Sequence, residues 1–467
     1  MKEVKTIYIL GICGTAMAAI ASLAKKAGFT VQGSDQGIYP PMSDFLEAQQ
    51  ISLYQGYDAK RLLKLKPDLV LIGNAFSRGN VEVEAVLNHG LDYTSGAEFI
   101  GRYLLPHKEA VVVAGTHGKT STASLMAHVL EQGQHSPSFM IGGIPENFQS
   151  GARLGNGKHF VLEGDEYDTA FFDKRSKFLH YHAHTLILNN LEFDHADIFP
   201  DLAAIERQFH HLVRTVPQQG QIIVNADDPV LLRVLDQGCW TPIVRIAKRD
   251  SGVEATWQWQ CMRADGTHFK IYYQGALFLE CQWSMRPAHQ VANACAVAAA
   301  AHSFGLDAKT IQQAFKSFQG IRRRMTKIGE ARGIQIYDDF AHHPTAITDV
   351  VEGMKASLSE QQRLWVIVEP RSNTMRTRIH QDRLGRCFEH ADLVRFVPAS
   401  DRNLAKNEVL DMPQLCNDIG EKAACLADSE AIIGNIEAQG KAGDVVLILS
   451  NGGFEGLHQR LLDTLKI

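Results

Sequence analysis

The sequence has no large excess of charge of either sign. Its 467 residues include 47 lysines and arginines and 52 aspartates and glutamates, for a formal net charge of −5 at pH 7. Proteins that bind nucleic acid over a broad face carry a basic excess that neutralises phosphates. The balance argues against a broad nucleic-acid-binding face, and we expect no nucleic-acid partner. Any phosphate-bearing ligand would have to be held by local geometry.

Cysteine pairs at metal-binding or redox spacing are also missing. No two of the eight cysteines form a C-x-x-C pair. They are scattered over positions 13, 239, 261, 281, 295, 387, 416 and 425. This spacing excludes a zinc ribbon and a thioredoxin-like motif. In a chain of this length, scattered thiols predict reduced cysteines and a cytoplasmic protein.

Charge is absent from one long run, residues 6–24, which two nearby lysines precede. A signal peptide or a membrane span is one interpretation of such a run. Gly11 and Gly14 interrupt it, however, between a buried-strand pattern at 7–10 and a helical pattern at 15–27. We interpret the run as the opening of a nucleotide-binding βαβ unit and expect no membrane partner.

Composition is that of a globular protein, with 45% hydrophobic and 21% charged residues. At about 150 residues per domain, the length suggests about three domains. Strand and helix signals alternate along most of the chain, which predicts α/β architecture with parallel sheets. We expect a Rossmann-like domain at 1–106, a central P-loop ATPase-type α/β domain at 107–320 and a Rossmann-like C-terminal domain at 321–467.

Two segments refine this fold prediction. Alternating residues around Asp265-Gly266 and before Gly275 predict a small antiparallel addition within 253–284 of the central domain. In the third domain the helical patterns lie at 344–357, 379–390, 429–439 and 455–466.

The most specific motif is a glycine loop between a strand pattern and a helical pattern, Gly115-Thr116-His117-Gly118-Lys119-Thr120-Ser121. Its glycines allow backbone N–H groups to surround phosphate oxygens at a helix N-terminus. Lys119 would reach the terminal phosphates, and the Thr120 hydroxyl can bind Mg²⁺. Two residues, not the usual four, separate the first glycine from Gly-Lys. The flanking elements favour an ATP site over an accidental turn.

Two acidic segments follow other buried strands. Glu163-Gly164-Asp165-Glu166 follows the strand that ends at Leu162, and residues 189–195 follow the strand that ends at Leu188. Ligands of open α/β sheets bind outside the carboxyl ends of the strands, so we expect these segments and the glycine loop in one crevice. Glu163, Thr120 and His195 are then candidate metal ligands around ATP. Oxygen ligands suit Mg²⁺, for which a histidine ligand is less usual.

Together these segments resemble the Mur ligases, the ATP-dependent amide-bond-forming enzymes of peptidoglycan synthesis. The resemblance covers essentially the whole chain. It extends to the N-terminal glycine loop at 11–17, to the junction at 320–330 and to Asp338-Asp339-Phe340-Ala341-His342-His343-Pro344. This last segment is similar to the branch that adds L-alanine to UDP-N-acetylmuramate.

Segments 167–178, 369–375 and 450–454 are most similar to the recycling branch of the family. That branch joins the tripeptide L-alanyl-γ-D-glutamyl-meso-diaminopimelate to UDP-N-acetylmuramate. The resemblance thus implies a ligase that uses ATP, Mg²⁺ and these two substrates, as a monomer or weak homo-oligomer. The alternatives are the L-alanine ligase, a P-loop kinase or ATPase with a dehydrogenase-like domain, and a non-enzymatic nucleotide sensor.

The resemblance also implies residue roles at the reaction centre. Thr120 and Glu163 would hold one Mg²⁺ and His195 a second, while Asn190 would lie near the substrate carboxylate and Lys119 would offset phosphate charge. Further ATP contacts would come from Ser121, His289, Asn293, Arg324 and Asp338. Gln290 replaces an asparagine of the family's adenine motif.

Substrate contacts are predicted at both ends of the chain. The expected UDP-sugar residues lie in or after the first, second and fourth strands of the N-terminal domain: Gly11, Gly14, Ser34, Asp35, Ser77 and Arg78. A tripeptide with several carboxylates needs guanidinium groups. We therefore expect peptide contacts after the third-domain strand at 363–369, from Arg371, Ser372, Asn373 and Arg376.

Overall fold

The computed structural model describes residues 3–196, 198–402 and 404–466. Three large sheets follow one another along the chain, and helices pack on their faces. The α/β class is confirmed. Among the described residues, no helix is both long enough and apolar enough to cross a bilayer.

The N-terminal sheet is entirely parallel, with the strand order β3-β2-β1-β4-β5. The uncharged run near the N-terminus forms its first strand, the glycine turn and most of its first helix, which confirms the βαβ interpretation. The elements are β1 (Thr6–Leu10), α1 (Thr15–Lys26), β2 (Thr30–Asp35), α2 (Met42–Glu47), β3 (Ser52–Gln55), α3 (Ala59–Leu65), β4 (Leu69–Ile72), α4 (Val81–His89), β5 (Tyr93–Ser95), α5 (Gly96–Phe99) and a π-helical turn (Ile100–Leu104).

The central sheet has ten strands in the order β17-β16-β15-β14-β13-β12-β6-β9-β7-β8. The elements of the central domain are β6 (Glu109–Ala114), α6 (Lys119–Gln132), β7 (Ser138–Met140), β8 (Ala152–Arg153), β9 (His159–Gly164), β10 (Asp168–Ala170), β11 (Asp173–Ser176), β12 (Thr185–Leu188), α7 (Leu202–Val213), β13 (Gln221–Asn225), α8 (Pro229–Asp236), β14 (Ile243–Lys248), β15 (Trp257–Cys261), β16 (His268–Tyr273), β17 (Ala276–Gln282), α9 (His289–Ser303) and α10 (Ala308–Ser317). Strands β10 and β11 pair with each other in a separate antiparallel sheet. A 3₁₀ turn spans Lys177–His180.

Strand order explains how the central sheet builds a crevice. Strands β12, β6 and β9 are adjacent and parallel, so the loops that follow them meet at one edge. Strands β15, β16 and β17 are antiparallel neighbours, which confirms the predicted antiparallel addition.

The C-terminal sheet has the strand order β18-β19-β23-β20-β21-β22 and is parallel except for β18. Its elements are β18 (Thr326–Ala331), β19 (Ile334–Asp339), α11 (Pro344–Lys355), β20 (Leu364–Val368), α12 (Gln381–Leu384), β21 (Leu393–Phe396), α13 (Met412–Ile419), β22 (Ala423–Cys425), α14 (Ser429–Gln439), β23 (Val445–Leu449) and α15 (Leu457–Lys466). The carboxyl end of β20 leads into the segment that contains Arg371.

The helical pattern predicted at 379–390 is present, but it is not a regular α-helix. It consists of a 3₁₀ turn (Arg378–His380), α12 and a second 3₁₀ turn (Gly385–Phe388). Gln381 exchanges two hydrogen bonds with the backbone of Asp411, and the Lys422 ammonium binds the carbonyls of Phe388, Glu389 and Ala391. These tertiary contacts hold both ends of the segment.

Candidate active site

The glycine loop lies between β6 and α6, as its sequence predicts. Gly115 and Gly118 adopt φ values of +147° and +79°, a region that favours glycine. A Cβ atom on Gly118 would lie 3.1 Å from side-chain atoms of both Asn189 and Asn293. The start of α9 therefore packs directly against the loop, and a side chain at position 118 would displace it.

Asn190 supports this loop through both ends of its amide. Its Oδ1 accepts from the His117 N–H at 2.8 Å, and its Nδ2 donates to the His117 carbonyl at 3.2 Å. The Asn190 carbonyl accepts from the Thr116 N–H at 3.1 Å. The structure thus gives Asn190 a loop-supporting position, and contact with a substrate carboxylate stays a prediction.

Lys119 and Glu166 form a buried ion pair beneath the loop. The Lys119 Nζ lies 3.0 Å from Glu166 Oε2 and donates to the Gly115 carbonyl at 2.7 Å. Burial disfavours both charges, but each partner favours the other's charged form. The pKa of Lys119 is consequently raised, and Lys119 together with His195 lowers the pKa of Glu166 to about 2. This role of Glu166 was not predicted, although the residue belongs to the acidic segment Glu163-Gly164-Asp165-Glu166.

His195 completes this cluster. Its Nε2 lies 2.7 Å from Glu166 Oε1, and its Nδ1 lies 2.7 Å from the Tyr167 hydroxyl. Burial lowers the pKa of His195, but the Glu166 carboxylate outweighs that effect and raises it overall. The residue adopts a left-handed backbone with φ +56°, an uncommon conformation for a residue other than glycine.

Thr120 and Glu163, the other two candidate metal ligands, are in contact. The Thr120 hydroxyl donates to Glu163 Oε2 at 3.0 Å, and the Gly142 N–H donates to Oε1 at 2.6 Å. Burial and the nearby Asp165 raise the pKa of Glu163. A hydroxyl and a carboxylate are hard oxygen donors, which Mg²⁺ prefers. The residues at this position therefore fit the expected cation.

Glu166 makes acid stability testable. Its pKa in the folded protein, about 2, lies below the ordinary value of 4.5. Its ionised form therefore stabilises the fold above about pH 4.5, and that contribution is lost as the pH falls towards 2. We expect the free energy of unfolding of Glu166→Gln to fall less than that of wild type between about pH 4.5 and 2. Denaturant unfolding at each pH measures this dependence. An unchanged pH dependence would contradict the stabilising role of the ion pair. Glu109→Gln, which removes a carboxylate from a partly exposed pair with Lys158, is the control.

The expected adenine contacts flank the loop on the side of the C-terminal domain. Asn293 is buried, and its Nδ2 donates to Gln290 Oε1 at 3.2 Å. His289 Nδ1 lies 3.0 Å from Asp349 Oδ2, which joins α9 to α11. Gln290 thus orients the Asn293 amide.

The three consecutive arginines at 322–324 contact different partners. Arg323 Nε donates to Asp338 Oδ2 at 3.0 Å and its Nη2 donates to the Ser450 and Gly452 carbonyls, while Arg322 pairs with Glu146. The Arg324 guanidinium lies 5.0 Å from the Phe340 ring centroid. Asp338 also lies 2.9 Å from His458 Nε2, so Arg323 and His458 both contact this predicted ATP-binding carboxylate.

The N-terminal glycine turn is held by the last two residues of β2. Gly11 has φ +73°, and its N–H donates to the Ser34 carbonyl at 2.8 Å. Asp35 Oδ2 accepts from the Cys13 N–H at 2.9 Å. The Ser34 hydroxyl is fully buried and donates to Glu82, so it is directed into the domain. Contacts between this turn and a nucleotide stay predictions.

A cavity of about 420 Å³ lies between this domain and the central domain. Residues at the start of α1 and after β4 line one wall, and Glu163 and Asp165 lie on the other. Gly14 is the N-cap residue of α1, and its N–H donates to the Gly11 carbonyl at 3.1 Å. Ser77 and Arg78 lie further out, where Arg78 Nε pairs with Glu84 at 2.9 Å. The cavity thus extends from the start of α1 to Glu163, one of the candidate magnesium ligands.

The predicted peptide contacts lie after β20, as the sequence implies. Arg371 is exposed, and its Nη1 lies 3.3 Å from Glu369 Oε1. Arg376 Nη1 donates to the Arg402 carbonyl at 2.6 Å, and Ser372 Oγ accepts from the Met375 N–H at 3.1 Å. Asn373 Oδ1 lies 3.5 Å from Arg376 Nη2. Of these side chains, that of Arg371 is the better placed for a ligand.

One cluster between the central and C-terminal domains was not predicted. His117, Glu192 and His343 place one potential ligand atom each within 4.8 Å of the others. Glu192 Oε2 also accepts from the Thr345 hydroxyl at 2.8 Å, and its N–H donates to the Thr116 hydroxyl at 2.8 Å. Burial lowers the pKa of His343 to about 4, so this imidazole is neutral. The cluster links α11 to the phosphate loop.

Comparison with known proteins agrees with this geometry. Three family models match in succession: "Mur ligase family, catalytic domain" at residues 6–107, "Mur ligase middle domain" at 113–301 and "Mur ligase, glutamate ligase domain" at 323–452. The chain therefore belongs to the Mur ligase family and is an ATP-dependent amide ligase.

Individual relatives match over nearly the whole chain. The UDP-N-acetylmuramate–L-alanyl-γ-D-glutamyl-meso-2,6-diaminoheptandioate ligase of Escherichia coli K12 is 44% identical to this chain. The match covers 98% of this chain and 98% of the relative. The ligase of the same name from Haemophilus influenzae is 41% identical, with 99% of this chain and 100% of the relative covered. A crystal structure of a murein peptide ligase from Psychrobacter arcticus 273-4 has a TM-score of 0.74 at 42% identity and 99% coverage of both chains.

Proposed function

We propose that this enzyme joins the tripeptide L-alanyl-γ-D-glutamyl-meso-diaminopimelate to UDP-N-acetylmuramate, releasing ADP and phosphate. The full-length similarity to ligases named for this reaction carries the proposal. Segments 167–178, 369–375 and 450–454, which are most similar to the tripeptide-adding branch, support it further. Because ATP and a nucleotide sugar are its substrates, we also propose a cytoplasmic location.

The proposed reaction has two steps. The lactyl carboxylate attacks the γ-phosphorus of ATP, which expels ADP and forms an acyl phosphate. The tripeptide amine then attacks the acyl carbon, loses a proton and expels phosphate. Anionic groups must approach one another in both steps, so positioning and charge stabilisation dominate. The Lys119 ammonium supplies fixed positive charge beside the phosphate loop.

Mg²⁺, when bound, would neutralise phosphate charge. Thr120 and Glu163 are the proposed residues for one ion, because their side-chain oxygens are 3.0 Å apart and suit this cation. His195 is the proposed residue for a second ion and must first release Glu166. Asn190, which holds the loop backbone, keeps the phosphate-binding amides in place.

The two substrate sites are proposed on opposite sides of this centre. The cavity of about 420 Å³ that reaches Glu163 would receive the sugar and its lactyl group. Arg371 and its neighbours after β20 would bind peptide carboxylates through guanidinium hydrogen bonds. We propose domain limits at 1–106, 107–320 and 321–467, with one substrate assigned to each.

Acceptor choice is the decisive test. With UDP-N-acetylmuramate and ATP, we expect phosphate release to be strong with the tripeptide and weak with L-alanine, with the ligated product identified by mass spectrometry. Reactions without any acceptor are the control for ATPase activity. A strong preference for L-alanine would overturn the proposal in favour of the alanine ligase. Turnover without an acceptor would favour a kinase or ATPase.

A further inference from the structure

We propose that Tyr167 is a positioning residue whose hydroxyl orients the His195 ring, so that Nε2 faces the cation position beside Glu166. The inference rests on the proposed function, in which His195 binds a divalent cation. Tyr167 itself is not proposed to contact substrate or metal, because it acts on the opposite edge of the ring.

Each nitrogen of the His195 ring has a polar contact, so the ring is held at both edges. The Tyr167 oxygen lies 2.7 Å from Nδ1, and Glu166 Oε1 lies 2.7 Å from Nε2. The two rings also pack, with centroids 4.2 Å apart and planes inclined at 49°. Lys177 Nζ lies 5.7 Å from the centroid of the Tyr167 ring and helps to hold it. If Glu166 moved away from Nε2, the tyrosine would be the hydrogen-bond partner left to the ring, with Asp194 Oδ2 at 3.9 Å from Nε2.

The backbone at His195 is fixed independently of the ring. Its N–H donates to Asp194 Oδ1 at 2.7 Å, and its carbonyl accepts from the Ile198 and Phe199 N–H groups at 2.9 and 3.0 Å. These bonds hold the residue in its left-handed conformation. Since the main chain is set in this way, the direction of Nε2 depends on side-chain rotation, and the Tyr167 contact restricts that rotation.

A hydroxyl suits this position because it can both donate and accept. The ionised Glu166 only accepts, so Nε2 carries hydrogen towards it and Nδ1 of a neutral ring accepts from Tyr167. When Nε2 offers its lone pair to a cation, hydrogen resides on Nδ1 and the same hydroxyl accepts it. Hydrogen bonds to the second ring nitrogen of metal-binding histidines fix the tautomer and ring orientation in this manner. Phenylalanine could do neither.

The test compares Tyr167→Phe with wild type in the full-length protein. The His195 ring nitrogens are followed by NMR during Mg²⁺ titration in the presence of a non-hydrolysable ATP analogue, and they are assigned by their loss in His195→Gln. We expect Tyr167→Phe to raise the half-saturating Mg²⁺ concentration at His195 about tenfold. Tyr272→Phe, which removes a hydroxyl contact with Gln260 in the antiparallel addition, is the matched control and should behave as wild type.

Thermal unfolding of each variant separates positioning from general stability. A wild-type titration of His195 in folded Tyr167→Phe would overturn the inference, whatever its stability. Tyr167→Gln, which retains a donor and an acceptor, is the second variant if Tyr167→Phe does not fold, and we expect an intermediate response. Failure of the wild type to ligate the tripeptide, together with an altered titration in Tyr167→Phe, would refute the proposed function but leave the positioning role intact.

Discussion

Replacing Lys119 with methionine is expected to lower kcat for phosphate release roughly 10³-fold, the upper end of the effect of removing one preorganised charge-stabilising donor. The side chain is long and keeps its apolar stem, so the phosphate loop retains its packing. What is lost is the positive charge that offsets repulsion between the carboxylate and the γ-phosphate. Phosphate release at saturating substrates measures the effect, and Lys158→Met at an exposed ion pair is the control.

The same substitution leaves the buried Glu166 without its principal cation. Removing one partner from a buried pair typically costs about 3–5 kcal/mol. We therefore expect Lys119→Met to be less stable than wild type towards denaturant, and Lys119→Met combined with Glu166→Gln to recover most of that loss without recovering activity. Recovery of activity in the double variant would show that Glu166 repulsion, not the missing ammonium, caused the defect.

The Arg371→Ala variant should show a substrate-selective defect. We expect its KM for the tripeptide to rise roughly 10- to 100-fold, because a hydrogen bond to a charged group contributes about 1.5–3 kcal/mol. The KM for ATP should change less than about twofold on the same reasoning. Arg371 is exposed and bonded only loosely to Glu369, so its guanidinium is accessible.

Initial rates with each substrate varied in turn provide the measurement. Arg386→Ala, another exposed arginine of the same domain, is the matched control and should leave both KM values unchanged. An equal rise for ATP and tripeptide would remove Arg371 from the peptide site and indicate a defect in the domain itself. Arg376→Ala should have a smaller effect than Arg371→Ala because Arg376 already donates to the Arg402 carbonyl.

Local sequence was sufficient to locate an element where an apolar pattern and the residues that flank it indicate the same limits. Residues 185–188 are a short apolar run, and they form the buried strand β12 with those limits. The glycine loop could be located from the strand before it and the helix after it. Because parallel strands share an edge, this placement also predicted that the segments after β6, β9 and β12 would meet, which their adjacency confirms.

Other features depend on partners that are distant in the sequence. Nothing beside Glu166 indicates that it pairs with Lys119, since the contact spans two different loops. The Asn190 amide similarly became a support for His117 only through the fold. The irregular helical segment at 379–390 is also held by distant residues, because Asp411 binds its Gln381 side chain and Lys422 binds its Phe388 carbonyl. Pairings of this kind have no local signal.

The contacts of Glu192 have a consequence for how the two ligands influence each other. One hydrogen bond joins its backbone to Thr116 in the phosphate loop, and another joins its carboxylate to Thr345 on α11. Two hydrogen bonds of a single residue, Glu192, thus link the C-terminal domain to the phosphate loop. Thermodynamic linkage makes any such coupling reciprocal: the factor by which nucleotide changes affinity for peptide equals the factor by which peptide changes affinity for nucleotide.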